Sequence, residues 1–83
     1  MLEKDRPEAQ RGRIERFADE AIPGCHVVFE PDQPPTWLRF RIEAPEVHTI
    51  LGVSGHYHAS EIADWSDEKL QSYIRAIAPS FAR

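Results

Sequence analysis

The sequence predicts an α+β fold in the order α-β-β-β(-β)-α, an antiparallel sheet of three or four strands with two helices packed on one face. Three observations carry this prediction. Apolar residues recur at helical spacing near both ends of the chain, and they alternate with polar ones in the middle. The connections between the alternating segments are also too short for the crossovers that parallel strands need.

A first helix is expected from about Arg6 to Ala21, where Ile14, Phe17, Ala18 and Ala21 form one apolar stripe. Asp5 and Glu8 have capping-box spacing, and Pro7 suits a first turn because its missing N–H is not needed there. Gly12 costs about 1 kcal/mol in a helix interior, so the first turns are expected to fray. Pro23-Gly24 ends the helix.

A strand follows over about Cys25 to Glu30, built on Val27, Val28 and Phe29. Pro31-Asp32-Gln33-Pro34-Pro35 is a turn, since its prolines cannot continue a ladder. Thr36 to Glu43 then alternates as one strand, with Leu38, Phe40 and Ile42 on the core side and Trp37, Arg39, Arg41 and Glu43 on the other. After the short turn Ala44-Pro45-Glu46, Val47 to Val53 makes a third strand.

Ser54-Gly55 is a turn signal, His56-Tyr57-His58 fits a fourth strand or an irregular loop, and Ser60 to Trp65 fits a single helical turn. The last helix is capped by Ser66, with Asp67 and Glu68 at its positive end. Leu70, Tyr73, Ile74 and Ile77 form its stripe, Pro79 stops it near Ala78, and Phe81 is placed to pack back onto the domain. This order of elements resembles that of double-stranded RNA-binding domains in topology alone. The basic helix end such a domain needs is missing, because Ser66-Asp67-Glu68 repels phosphate.

Eighty-three residues are enough for one domain and too few for two, so residues 1–83 are read as one unit, with 1–5 and 80–83 as flexible ends. The chain is 41% hydrophobic and 29% charged, which suits a folded protein rather than a disordered one. Ten Lys and Arg against fourteen Asp and Glu give a formal charge of −4, which argues against an unaided nucleic-acid binder. The longest hydrophobic run is three residues, far below the roughly 20 of a membrane span or the roughly 7–15 of a secretory core. A membrane partner is therefore not expected, and a cytoplasmic location is.

The single cysteine, Cys25, excludes an internal disulfide and any zinc site needing two thiolates from one chain. It reads as a small core residue at a strand start. Its neighbour His26 points to the opposite strand face and cannot serve as its base.

Two constellations could carry function. In Gly55-His56-Tyr57-His58, the two imidazoles share a strand face at i and i+2 and could hold a metal with Glu61, Asp64 or His48 as third ligand. In one extended strand, however, His48 would stand about 26 Å from His56. If Ser54-Gly55 turned the chain back, His48 would lie nearer Glu61. The second constellation is the outer side of the middle strand, where Trp37, Arg39 and Arg41 combine residue types enriched at interaction hot spots. The competing reading has both arginines pairing with cross-strand acids such as Glu30 and covering the Trp ring. Arg11, Arg13 and Arg16 read as a solvated helix face, with i,i+4 pairs Arg11–Glu15 and Arg16–Glu20.

Gly-rich phosphate loops, G-x-S-x-G, H-E-x-x-H and EF-hand patterns are all missing, so no cofactor is implied. The expected function is a non-catalytic accessory or regulatory protein that binds another protein through Trp37, Arg39 and Arg41. The alternative is a metal-binding or histidine-dependent catalytic or sensor domain using His56 and His58. Single-stranded nucleic acid on the sheet face is a minor reading, and homodimerisation through an open sheet edge is a further one.

Overall fold

A computed structural model describes residues 7–46 and 49–78. The elements run α1 (Pro7–Ala21), β1 (His26–Phe29), β2 (Trp37–Leu38), β3 (Phe40–Glu43), β4 (Ile50–Val53), β5 (Tyr57–His58), α2 (Ala59–Ala63) and α3 (Asp67–Ile77). The fold is α+β with antiparallel pairing throughout, as the sequence predicts. Asp5, Arg6, Val47, His48, Pro79, Phe81 and the expected flexible ends lie outside the described residues.

Both helical stripes do what their spacing requires. Ile14, Phe17, Ala18 and Ala21 of α1 are buried, as are Leu70 and Ile74 of α3. They meet Leu38, Phe40 and Ile42, each 1% exposed or less, in one core that also takes in Ile62 of α2. At these exposures a side chain has given up nearly all of its water contact, worth roughly 1.5–3 kcal/mol for each large aliphatic residue. Val27 and Phe29 oppose Ile42 and Phe40 across the β1–β3 ladder and pack against the same core. The two helices therefore cover one face of the β1-β3-β4 sheet and leave the other open.

Gly12 does not break α1, which is continuous from Pro7. The helix closes with the Ile22 N–H on the Ala18 carbonyl at 2.8 Å. Gly24 then turns at φ 80°, a left-handed value that glycine adopts without strain. At the other end of the chain, Ser66 Oγ accepts from the Lys69 N–H at 3.1 Å, the cap predicted for α3.

The strand expected over Thr36–Glu43 departs from prediction. Its in-and-out alternation is continuous, yet its pairing splits at Arg39. The β3 segment lies between β1 and β4, whereas β2 pairs with β5 in a separate two-stranded ribbon. Ser54 sits at the split and is 4% exposed. Its N–H donates to the Phe40 carbonyl at 2.8 Å, and its Oγ accepts from the Phe40 N–H at 2.8 Å. A side-chain oxygen thus takes over a ladder bond that the backbone no longer supplies.

Ser54-Gly55 does not reverse the chain. The register runs Phe40 beside Ser54, then Leu38 opposite Tyr57, so one extra residue lies between β4 and β5. The two short strands run on as a bulged continuation of each other beside the β2–β3 segment. Of the two readings of His56-Tyr57-His58, the fourth strand holds for Tyr57 and His58, and His56 lies in the connection before them.

The basic residues of α1 also depart from prediction. The expected i,i+4 pairs are not made. Arg11 stacks over Phe29 at 5.2 Å, and Arg16 lies over Phe17 at 4.6 Å and reaches Asp67 at 4.0 Å. Arg13 is half-buried and donates to the Ile62 carbonyl at 3.1 Å, the Trp65 carbonyl at 2.9 Å and Asp67 Oδ1 at 3.0 Å. One planar guanidinium thereby ties α1 to the α2–α3 connection, using donors fixed in a fork.

Candidate functional site

The β2–β5 ribbon brings together the two constellations that stand well apart in the sequence. Leu38 and Tyr57 occupy its inner side, where Leu38 is buried and Tyr57 packs on the core. Trp37 and His58 are direct partners on its outer side, their rings 5.6 Å apart and edge-on at 86°. One step along, Arg39 Nη1 lies 3.4 Å from His56 Nε2. A guanidinium can only donate, so the imidazole presents a lone pair at this nitrogen.

His58 is fixed from its other side. Its Nδ1 accepts the backbone N–H of Ser60 at 3.1 Å, which makes His58 the N-cap of α2, and lies 2.7 Å from Ser60 Oγ. Since a backbone N–H can only donate, Nδ1 carries no proton in this arrangement. Among the described residues, no three His, Cys, Asp or Glu side chains are placed to hold a metal ion together. His56, His58 and Glu61 do not converge as a ligand trio, and His48 lies outside the described residues. Asp64 instead closes the C-terminal end of α2 through its backbone N–H.

The three residues of the second constellation have different surroundings. Arg41 is engaged as the competing reading expects, with Nε on Glu43 Oε2 at 2.8 Å and Nη1 at 3.7 Å from Glu30 Oε1. Arg39 is exposed and meets His56 alone, with no carboxylate within ion-pair distance among the described residues. Trp37 is 39% exposed and keeps one ring edge on His58.

Two members of the same surface escape strand alternation. Ile50 and Val53 are 55% and 44% exposed. Ile50 opposes Glu43 and Val53 opposes Arg41, so both stand on the outer side of the sheet. An even and an odd position share a face because the register shifts between Ile42 and Glu43, which leaves Leu51 as the extra residue. No pattern in Val47–Val53 announces that bulge. Among the described residues, the exposed large hydrophobics are Trp37, Ile50 and Val53. All three fall on the open side, along with Arg39 and Arg41.

Cys25 stands just before β1 and packs partly on the core. Burial, and then the nearby Asp19 carboxylate, push its thiol up from the ordinary range and favour the unreactive protonated form. His26 turns away from it, with Nε2 donating to the Pro45 carbonyl at 3.1 Å. No helix among the described residues is long and apolar enough to cross a membrane. No protein-family model, curated protein or solved structure shows a significant match to this chain.

Proposed function

We propose that this chain is a non-catalytic accessory or regulatory protein of the cytoplasm that binds another protein through the open side of its sheet. The observation that carries the reading is the gathering of Trp37, Ile50 and Val53, the exposed large hydrophobics of the described residues, on that one side. Scattered exposed apolar residues need no explanation, whereas a set sharing one face marks an interaction surface. Trp37 and Arg39 on the same side are of the residue types that dominate binding energy in protein interfaces.

The test is capture of partners from the native host with the wild-type chain and with a Trp37→Ala/Arg39→Ala double variant, alongside thermal unfolding of both. The folded double variant is expected to lose the captured protein. Undiminished capture by a folded double variant removes this face from the interaction.

A further inference from the structure

We infer that Arg39 is a receptor for a carboxylate, so the partner segment that lies on this face is an acidic peptide with apolar side chains beside its acid. This rests on the open-face reading and specifies the chemistry of the partner.

Charge sets the expectation. The chain carries fourteen acidic residues against ten Lys and Arg, so an arginine here has an excess of potential carboxylate partners. Arg13, Arg16 and Arg41 each reach one, whereas Arg11 and Lys69 lie over aromatic rings and Arg75, in the last turn of α3, makes no ion pair among the described residues. On the open face Arg39 reaches none among the described residues, although its backbone is held at the split between β2 and β3, where its carbonyl accepts the Glu30 N–H at 2.8 Å. Its one side-chain contact is His56 Nε2 at 3.4 Å.

That contact uses one guanidinium nitrogen and holds the plane without neutralising it. The remaining N–H donors keep the fork geometry that matches a carboxylate in two parallel bonds. Trp37, two residues away on the same face, offers an apolar wall that lowers the local dielectric and strengthens a pair formed beside it. Val53 and Ile50 extend the apolar surface on the other side of Arg41, whose own charge is already met by Glu43 and Glu30. An unneutralised cation among apolar side chains is complementary to an acid flanked by leucine-like residues. A nucleic-acid strand fits poorly, because it would bring one phosphate after another to a face on which Arg41 is already neutralised and Arg39 stands alone among the described residues.

The test uses the 15N-labelled full chain and follows the Trp37 indole N–H and the Arg39 Nε–H by NMR. The probes are a blocked five-residue peptide of alternating glutamate and leucine, its glutamine-for-glutamate twin, and a ten-nucleotide oligothymidylate. The glutamate peptide is expected to shift both signals, and the glutamine twin to bind at least about tenfold more weakly. Arg39→Gln is expected to erase that difference and Arg39→Lys to restore part of it. Raising salt to about 0.5 M is expected to weaken the glutamate peptide selectively.

Equal binding of the two peptides overturns the carboxylate receptor and leaves the apolar face as a docking surface. Glutamate-peptide binding that survives Arg39→Gln assigns the acid to another cation and overturns the proposal too. Tighter binding of the oligothymidylate overturns it in favour of phosphate. Silence from every probe also overturns it, while the open-face reading stands or falls separately on the capture experiment. Each variant is first checked for an unchanged melting temperature, expected because Arg39 makes only one, exposed, side-chain contact among the described residues.

Discussion

At the scale of single residues, two glycines respond to the same substitution in opposite directions. Gly52 lies on the inner side of β4, opposite Ile42, and the last turn of α3 rests directly on it. A Cβ at this position would run into the Ile77 carbonyl, 2.7 Å from its carbon and 3.3 Å from the Ala78 nitrogen. Both obstacles are backbone, so no rotamer change relieves them, and α3 would have to move off the sheet. Gly12 stands in the middle of α1, where a methyl group would meet nothing within 4 Å. There alanine adds no clash and removes backbone freedom from the unfolded chain. Gly52→Ala is expected to destabilise by about 1–3 kcal/mol or more, and Gly12→Ala to stabilise by roughly 0.5–1 kcal/mol. For a domain of this size, 1 kcal/mol moves the melting temperature by about 4–8 °C. Thermal unfolding of the two variants should therefore shift in opposite directions. An unchanged Gly52→Ala would show that the end of α3 does not bear on β4.

At the scale of elements, β5 and α3 are joined by aromatic rings rather than by a ladder. Tyr57, Trp65 and Tyr73 form a triangle with centroids 4.9, 5.6 and 5.2 Å apart, and Lys69 covers Trp65 at 4.9 Å. The Tyr73 oxygen also accepts the Gly55 N–H at 3.0 Å, which holds the bulge between β4 and β5. Hydrogen bonding to the Tyr73 side chain, with burial and the nearby Glu61, pushes the Tyr57 phenol from 10.0 up to about 12. Its folded pKa is raised, so this contribution to stability is complete below the unfolded value and lost as pH climbs from about 10 to about 12. Cys25, also pushed up, adds a loss of the same sign that a tyrosine variant leaves in place. Tyr57→Phe should therefore lose less melting temperature than the wild type between pH 10 and 12. Parallel curves would mean that Tyr57 does not couple β5 to α3 in this way. The elements differ in how far sequence reveals them. Helical stripes and strand alternation are local patterns, so α1, α3 and the inner positions Leu38, Phe40 and Ile42 are legible from residue type and spacing. The split at Arg39 is not, because alternation runs through it unbroken and only the choice of pairing partner changes. The candidate site is half legible for the same reason. Trp37 with Arg39, and His56 with His58, each stand out in sequence. Their union depends on the register of Trp37 against His58, which no local pattern encodes. Ile50 and Val53 share a face only because of a bulge, another feature of pairing rather than of composition.

At the scale of the whole molecule, the sheet divides apolar residues into two populations with different work to do. A domain of 83 residues has one thin core. Ile14, Phe40, Ile42, Leu70 and Ile74, all 1% exposed or less, supply much of it. A total stability of roughly 5–15 kcal/mol leaves such a chain little tolerance for a cavity there. Ile74 packs from α3 into that core, and Ile74→Ala is expected to cost about 2–5 kcal/mol. Ile50 and Val53 are nearly as large and as apolar, but roughly half of their surface already faces water. Replacing both with threonine keeps the β-branched shape that a strand favours and removes little buried area. The Ile50→Thr/Val53→Thr double variant is therefore expected to change stability by less than about 1 kcal/mol. Urea unfolding of the two variants against the wild type reads the contrast directly. A small cost on the open side means that folding does not account for these side chains, and contact with a partner is then the physical reason for apolar surface there. A double variant that lost as much stability as Ile74→Ala would instead place Ile50 and Val53 in the core and remove the reason to seek a partner on this face.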